Sequence, residues 1–526
     1  MTVAYRVRRG TYQDSVKLMR ISAAGTARPG VETAAAVMAT ENNLDNLRSA
    51  GFDLEAAGPV SPNDLLLAAR AGTEEVARAA LDAMDALLSA AASSGEGGGT
   101  RPRTLASALR QRPDANLCLI SIPGPYVRRE AEAALEAGLH CMVFSDNVSL
   151  EDEIRLKTLA DERGLLVLGP DCGTAILRGK ALAFANAVST GPVGIVGASG
   201  TGIQAVSVLV DRLGSGVSHA IGTGGRDLSR AVGGRSMLRG IRMLAEDEGT
   251  KVLVLISKPP DPEVMKRVLE AAAGAGKPAV GVFLGGDPEA VRDAGVYAAG
   301  DLEEAAGAAA ALVRGEEPPA GRAQRAAPLQ NPPDSAWAPW IEEERRRLAP
   351  GQRFIRGLYS GGTLCEEAML ILRDEVGGIH SNVPLEEGLR LADPRRSVRH
   401  TLIDLGEDFF TRGRPHPMID PGTRNERILR EAEDPETAVL LLDVVLGYGA
   451  HKDPAGAAAE AVRIARETAA RAGRGLAAAA AVCGTERDPQ VLSVQEKALR
   501  EAGVRVFPSN ARAARFAAAL AKAIAS

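Results

Sequence analysis

Aromatic residues make up only 3% of this 526-residue chain, and cysteine is held to five positions. Cys118, Cys141, Cys172, Cys365 and Cys483 are odd in number, widely scattered and never arranged as CxxC, which excludes a disulfide framework and a thiolate zinc site and leaves free thiols. Alanine abundance and the scarcity of aromatics reflect composition and Ala-rich helices. No stretch approaches the roughly 20 unbroken apolar residues of a membrane span, and the opening MTVAYRVRRGTYQDS lacks the apolar centre of a signal peptide. A cytoplasmic protein is expected. Charge of one sign is missing too: 62 Lys+Arg face 67 Asp+Glu with no basic block, which gives neither nucleic acid nor an anionic membrane a footprint.

What is present is alternation. Short apolar runs followed by amphipathic stretches predict βα units and parallel sheets, with strands at 116–122, 140–145, 165–169, 193–197, 251–257, 279–285, 400–406, 438–447 and 476–484. Most end in Gly-bearing or acidic loops, and ligands of open parallel sheets bind at such carboxyl ends. Residues 89–103 are Gly/Ser-rich and read as a loop, and residues 315–339 are Pro-rich and read as a linker.

A repeat spans that linker. GIVGASGTGIQAV at 194–206 parallels GLYSGGTLCEEAM at 357–369, and three further strand-plus-loop segments match in the same order. Residues 192–315 and 352–526 are therefore expected to be two copies of one flavodoxin-like fold.

In each copy a small-residue turn links a strand to a helix. Ser199, Gly200 and Thr201 form one, and Ser360, Gly361, Gly362 and Thr363 the other. Backbone amides at a helix N-terminus, joined by hydroxyls, suit phosphate or carboxylate. Neither turn is a Walker A or a GxGxxG. In the C-terminal copy Asp404 and Asp443 end long apolar runs, while Arg412, Arg414 and His416 lie in RGRPHPMIDP, where two guanidinium groups could hold a carboxylate or phosphate. These five are the catalytic candidates. Arg226, Asp227 and Lys258 of the first copy and His451, Thr485 and Glu486 of the second are further loop candidates. Mg²⁺ held by Asp404, Asp408 and Asp443 is conceivable, and carboxylate spacing alone does not specify a metal.

Residues 116–300 resemble the α subunit of succinyl-CoA synthetase, through Pro123-Gly124-Pro125, Gly169-Pro170-Asp171-Cys172, Ser199-Gly200-Thr201 and Gly224-Gly225-Arg226-Asp227. The resemblance implies a CoA-binding Rossmann-like domain and a helix dipole aimed at a phosphohistidine. That histidine is absent: Arg292-Asp293-Ala294-Gly295 stands where the family carries Gly-His-Ala-Gly. Over its whole length the chain resembles the FdrA family, through TYQDSVKLMRIS, GLYSGGTLCEEA, HTLIDLGEDFFTRGRPHPMIDP, LLLDVVLGYGAHKDPA and VCGTERDPQ. Members resemble the AllF subunit of oxamate carbamoyltransferase.

The implied architecture is an α/β chain with an N-terminal segment (1–100), a Rossmann-like CoA-binding-type domain (101–191), a flavodoxin-like ligase domain (192–315), a linker (316–351) and a second such domain (352–526). The implied reaction is oxalurate plus phosphate giving oxamate and carbamoyl phosphate, performed with two other subunits. An NDP-forming acyl-CoA ligase component and a non-catalytic scaffold are the alternatives. CoA is the cofactor the resemblance admits, although no Gly-rich nucleotide turn precedes the Pro123-Gly124-Pro125 loop.

Overall fold

The structure is a computed structural model and describes residues 2–11, 13, 15–40, 43, 44, 47, 48, 51–93, 102–318, 337–411 and 414–525. They form two compact units, residues 1–103 with 408–416, and residues 104–407 with 417–526.

In the first unit, strands β1 (Thr2–Arg8), β2 (Val31–Met38) and β3 (Leu65–Ala71) make an antiparallel sheet in the order β1-β3-β2. Alternation along the central strand explains its two covered faces. Leu65, Leu67, Ala69 and Ala71 pack with Leu81 and Met84 of the helix Glu74–Ser93, while Leu66 and Ala68 pack with Leu47 and Phe52. That helix takes up 89–93 of the stretch expected to be a loop.

The second unit begins with a three-stranded parallel sheet, β4 (Leu117–Ile120), β5 (His140–Val143) and β6 (Val167–Leu168), flanked by helices Gly124–Glu136 and Leu150–Glu162. A hairpin, β7 (Thr174–Leu177) and β8 (Lys180–Ala183), then adds antiparallel to the edge of the next sheet. That sheet contains β9 (Val193–Gly197), β10 (Val217–Gly222), β11 (Val252–Ser257), β12 (Ala279–Phe283) and β13 (Tyr297–Ala298), ordered β13-β12-β11-β9-β10-β7-β8. The last sheet contains β14 (Phe354–Tyr359), β15 (Thr401–Asp404), β16 (Thr437–Val445), β17 (Ala477–Cys483) and β18 (Arg505–Phe507), ordered β15-β14-β16-β17-β18.

Counted within each copy, both parallel sheets have the strand order 2-1-3-4-5 of a flavodoxin-like fold. All nine residues of β16 are buried, as a strand covered on both faces of a parallel sheet must be.

The two copies share one hydrophobic core that runs from Val193 and Ile203 to Leu364, Leu441 and Phe516. Residues 338–347, inside the stretch expected to be a linker, form a helix. Trp337 just before it meets Phe507 edge-on at 5.5 Å between centroids, because two indoles in reach of a buried Phe pair bury more area than a solvated connector could. No helix among the described residues is long and apolar enough to cross a membrane.

Candidate functional site

The two small-residue turns come together. Ser199, in extended backbone with φ −158°, caps the helix Gly200–Arg212 by accepting from Gly202 N–H at 3.0 Å. Its Oγ also lies 2.6 Å from Thr363 Oγ1, in the first turn of the helix Gly362–Val376. Either hydroxyl can donate, and whichever does, the other keeps a proton that no further acceptor claims among the described residues. Two helix N-termini thus face one point, each carrying about half a positive charge. Glycine is required at 361, where a Cβ would stand 2.9 Å from Thr201 Cγ2 and 3.1 Å from Asp443 Oδ2.

The second turn is capped by a carboxylate. Asp443 accepts from Ser360 N–H and Gly361 N–H, both at 2.7 Å. Behind it Arg424, fully buried, donates to Asp443 O at 2.6 Å and to Ser360 Oγ at 3.0 Å. Burial pushes the Asp443 carboxyl up, against the Arg424 charge and the amide bonds that pull it down; burial likewise lowers the Arg424 guanidinium. With both oxygens engaged, Asp443 is a poor ligand for Mg²⁺. Asp408 belongs to the other unit, and no cluster of three His, Cys, Asp or Glu able to hold a metal occurs among the described residues.

Asp404 reaches the same helix from β15. Its main chain is clamped by Asn382, which donates Nδ2 to Asp404 O at 2.9 Å and accepts from Asp404 N–H at 3.0 Å. Oδ1 accepts from Gly406 N–H at 2.9 Å, and Oδ2 lies so close to Gly362 that a Cβ there would be 2.6 Å from it. Burial lifts this carboxyl to about 7 despite the Gly406 bond, with Asp443 adding to the rise. Lys258, from the loop after β11, ion-pairs with Glu366 at 2.6 Å; its side chain is 60% exposed and that of Glu366 11%.

The other candidates have local work. Arg226 pairs with Glu153 at 2.9 Å and donates to Val148 O at 2.8 Å. Asp227 receives Lys157 at 2.8 Å and two amides, Ser236 N–H and Met237 N–H, capping the helix Arg235–Glu246. Thr485 donates to Ala187 O at 2.7 Å, helping to hold segment 185–189 against the second copy, while Glu486 caps the helix Leu492–Glu501 through Ser493. His451 Nδ1 accepts from Asp453 N–H at 3.1 Å. Arg414 and His416 lie in the unit formed with residues 1–103, where burial lowers the His416 ring to about 4; Arg412 lies outside the described residues. Sequence reasoning missed Arg424 and Asn382. Arg424 sits in a charged helix, RNERILRE, that reads as solvated, and Asn382 carries no motif.

Comparison with known proteins gives this architecture a class. Residues 358–520 match the family described as CoA-ligase, residues 188–285 the CoA binding domain, and residues 1–104 the AllF heavy metal-associated domain. The chain is 43% identical over 510 residues to the uncharacterized protein YahF of Escherichia coli (strain K12), covering 97% of each. It is 29% identical over 180 residues to the succinate–CoA ligase [ADP-forming] subunit alpha 2 of Archaeoglobus fulgidus, covering 33% of this chain and 60% of that one. Among solved structures, the dinucleotide-forming acetyl-coenzyme A synthetase 1 of Ca. Korarchaeum cryptofilum in its apo form is 17% identical with a TM-score of 0.32, covering 78% of this chain and 83% of that one. The chain is a CoA-ligase-like α/β protein. It belongs to the FdrA family, with YahF as a full-length relative. The heavy metal named for the N-terminal domain does not fit these residues, because 1–104 contain neither cysteine nor histidine and offer no thiolate or imidazole, only methionine thioethers.

Proposed function

We propose that this chain is an acyl-transfer component of CoA-ligase type that binds the phosphoryl end of an acyl phosphate between its two repeats. The observation that carries this reading is the 2.6 Å contact of Ser199 Oγ with Thr363 Oγ1. Two helix N-termini and a spare hydroxyl proton at one point stabilise an anion more than either turn alone. Asp293, exposed at the end of the helix Pro288–Asp293, stands where related ligases carry the phosphorylated imidazole, and with that imidazole missing the acyl group passes directly between its carrier and phosphate.

CoA fits the carboxyl ends of β4 and β5. The helix Gly124–Glu136 starts at Pro123 without a side-chain cap, and Tyr126 and Leu150 stand exposed at helix starts on that sheet. When bound, CoA supplies the thiol that carries the acyl group. The test is phosphate-dependent breakdown of succinyl-CoA and acetyl-CoA by the chain alone and with co-purified partner subunits. Ser199→Ala with Thr363→Val should lower apparent phosphate affinity by roughly ten- to a hundredfold, the one charge-assisted hydrogen bond of the spare proton being worth about 1.5–3 kcal/mol. An unaltered phosphate dependence in that variant would remove the reading.

A carbamoyl group as the acyl moiety is a second reading, supported by the AllF description matched by residues 1–104. Carbamoyl phosphate is itself an acyl phosphate and would use the same cradle. Oxalurate in place of the thioester in the same assay separates the two.

A further inference from the structure

We infer that Asp404 is the proton shuttle of this site: it gives its proton to the group that leaves the acyl carbon and recovers one from the phosphate. The inference rests on the acyl-phosphate reading and adds a residue and a step to it.

The geometry is that of a held functional group rather than of a cap. Asn382 fixes the Asp404 main chain from both sides, and Gly406 N–H fixes Oδ1. Oδ2 has no hydrogen-bond partner among the described residues and is turned against Gly362, the first residue of the helix whose next residue, Thr363, meets Ser199. Any side chain at 362 would collide with it, so glycine keeps that path open. The cap of this turn is supplied by Asp443, which occupies the Ser360 and Gly361 amides, so Asp404 is not needed for it. The groups bearing on Asp404 are Asp443 and Glu407, which favour its protonated form, and the Lys258 ammonium, which opposes them; Cys365 on the adjoining helix is itself held protonated by burial. Burial dominates, so the carboxyl titrates at about 7, beside the second ionisation of phosphate, where a proton passes either way at little cost.

The step balances without a further reactant. With Asp404 protonated beside bound HPO₄²⁻, an unprotonated phosphate oxygen bonds to the acyl carbon; the bond from that carbon to sulfur or nitrogen breaks, the departing atom takes the proton of Asp404 Oδ2, and Asp404 recovers one from the P–OH of the acyl phosphate. The sum is RCO–X + HPO₄²⁻ → RCO–OPO₃²⁻ + HX, for a thiolate or an amide leaving group alike. A single carboxyl therefore serves thioester and carbamoyl substrates, and the identity of X is set elsewhere.

The test is calorimetric titration of the full chain with inorganic phosphate at pH 8, in two buffers of different ionisation enthalpy, for the wild type and Asp404→Asn. At this pH Asp404 is mostly ionised, and a phosphate dianion beside it drives it to pick up its proton. The wild type should take up close to one proton per phosphate bound and the variant close to none, a difference of roughly one proton. Thermal melting confirms that the variant is folded. Equal proton uptake in both proteins overturns the shuttle while leaving the phosphate site standing. Absence of phosphate binding in both overturns the acyl-phosphate reading, and the shuttle with it.

Discussion

Arg424 and Ser360 are joined by a buried 3.0 Å hydrogen bond in which the Ser360 hydroxyl oxygen accepts from the guanidinium, and at 2% exposure Ser360 is tied to the inside of the turn. Ser360 and Thr363 therefore differ in kind, although they stand three residues apart in one motif. Ser360→Ala should destabilise the protein by about 1–3 kcal/mol, since Arg424 Nη1 then keeps only the Asp443 carbonyl, and should leave phosphate dependence unaltered. Denaturant unfolding beside phosphate titration checks both halves.

Asp404 should make stability fall as pH rises. In the folded chain its carboxyl holds the proton to about 7, whereas in the unfolded chain it releases it near 3.8, so the folded state binds more protons between those values. Asp404→Asn should match the wild type near pH 4 and exceed it by about 2–4 kcal/mol at pH 8. Unfolding curves at the two pH values decide this, and a variant no more stable at pH 8 than the wild type would contradict the raised value.

His400 works with the opposite sign. Its Nδ1 accepts from Ile355 N–H at 3.2 Å, and burial, helped by the Arg356 charge, holds the ring down at about 4. The unfolded ring binds its proton near 6.5, so stability falls as pH drops from 6.5 to 4. Replacing His400 by Asn should remove roughly 2 kcal/mol of that acid loss, a figure reduced for the part-exposed ring. The difference between the variant and wild-type profiles isolates this contribution from that of Asp404.

Lys157 anchors the Rossmann-like portion to the first ligase copy. Its ammonium meets Glu153 Oε1 and Asp227 Oδ1, both at 2.8 Å, and Thr223 O at 2.9 Å, with no exposure to speak of. Lys157→Met takes the buried ammonium from both carboxylates, leaving Glu153 to Arg226 and Asp227 to its two amides, and should cost about 3–5 kcal/mol. Adding Glu153→Gln should recover part of it, measurable in a double-mutant cycle.

The N-terminal domain should carry no heavy metal. After dialysis against Zn²⁺ or Cu⁺, native mass spectrometry of the full chain should show no stoichiometric ion, and the melting temperature should not move. A bound ion mapped to residues 1–104 would demand ligands other than thiolate and imidazole, methionine thioethers being the only sulfur there.

All nine strands read from apolar runs are present, and so are the two copies, because strand burial and strand-to-helix turns are local properties that a short window of residues expresses. The Ser199 and Thr363 turns were legible for the same reason: small residues between a strand and a helix can do little else. Pairings that cross the chain were not legible. Ser199 meets Thr363 across 164 positions and Ser360 N–H meets Asp443 across 83, and no local pattern encodes which hydroxyl pairs with its counterpart and which accepts from a guanidinium. Arg424, hidden in a charged helix, became the buried partner of Ser360 only through the packing of that helix against the sheet. Arg414 and His416, the most conspicuous basic cluster of the second copy, fold with residues 1–103, a grouping that contact between distant segments decides. Sequence determined the two sheets and the turns at their edges; tertiary structure decided which groups those turns pair with, because a desolvated carboxylate or guanidinium takes whichever partner the fold brings within hydrogen-bond reach.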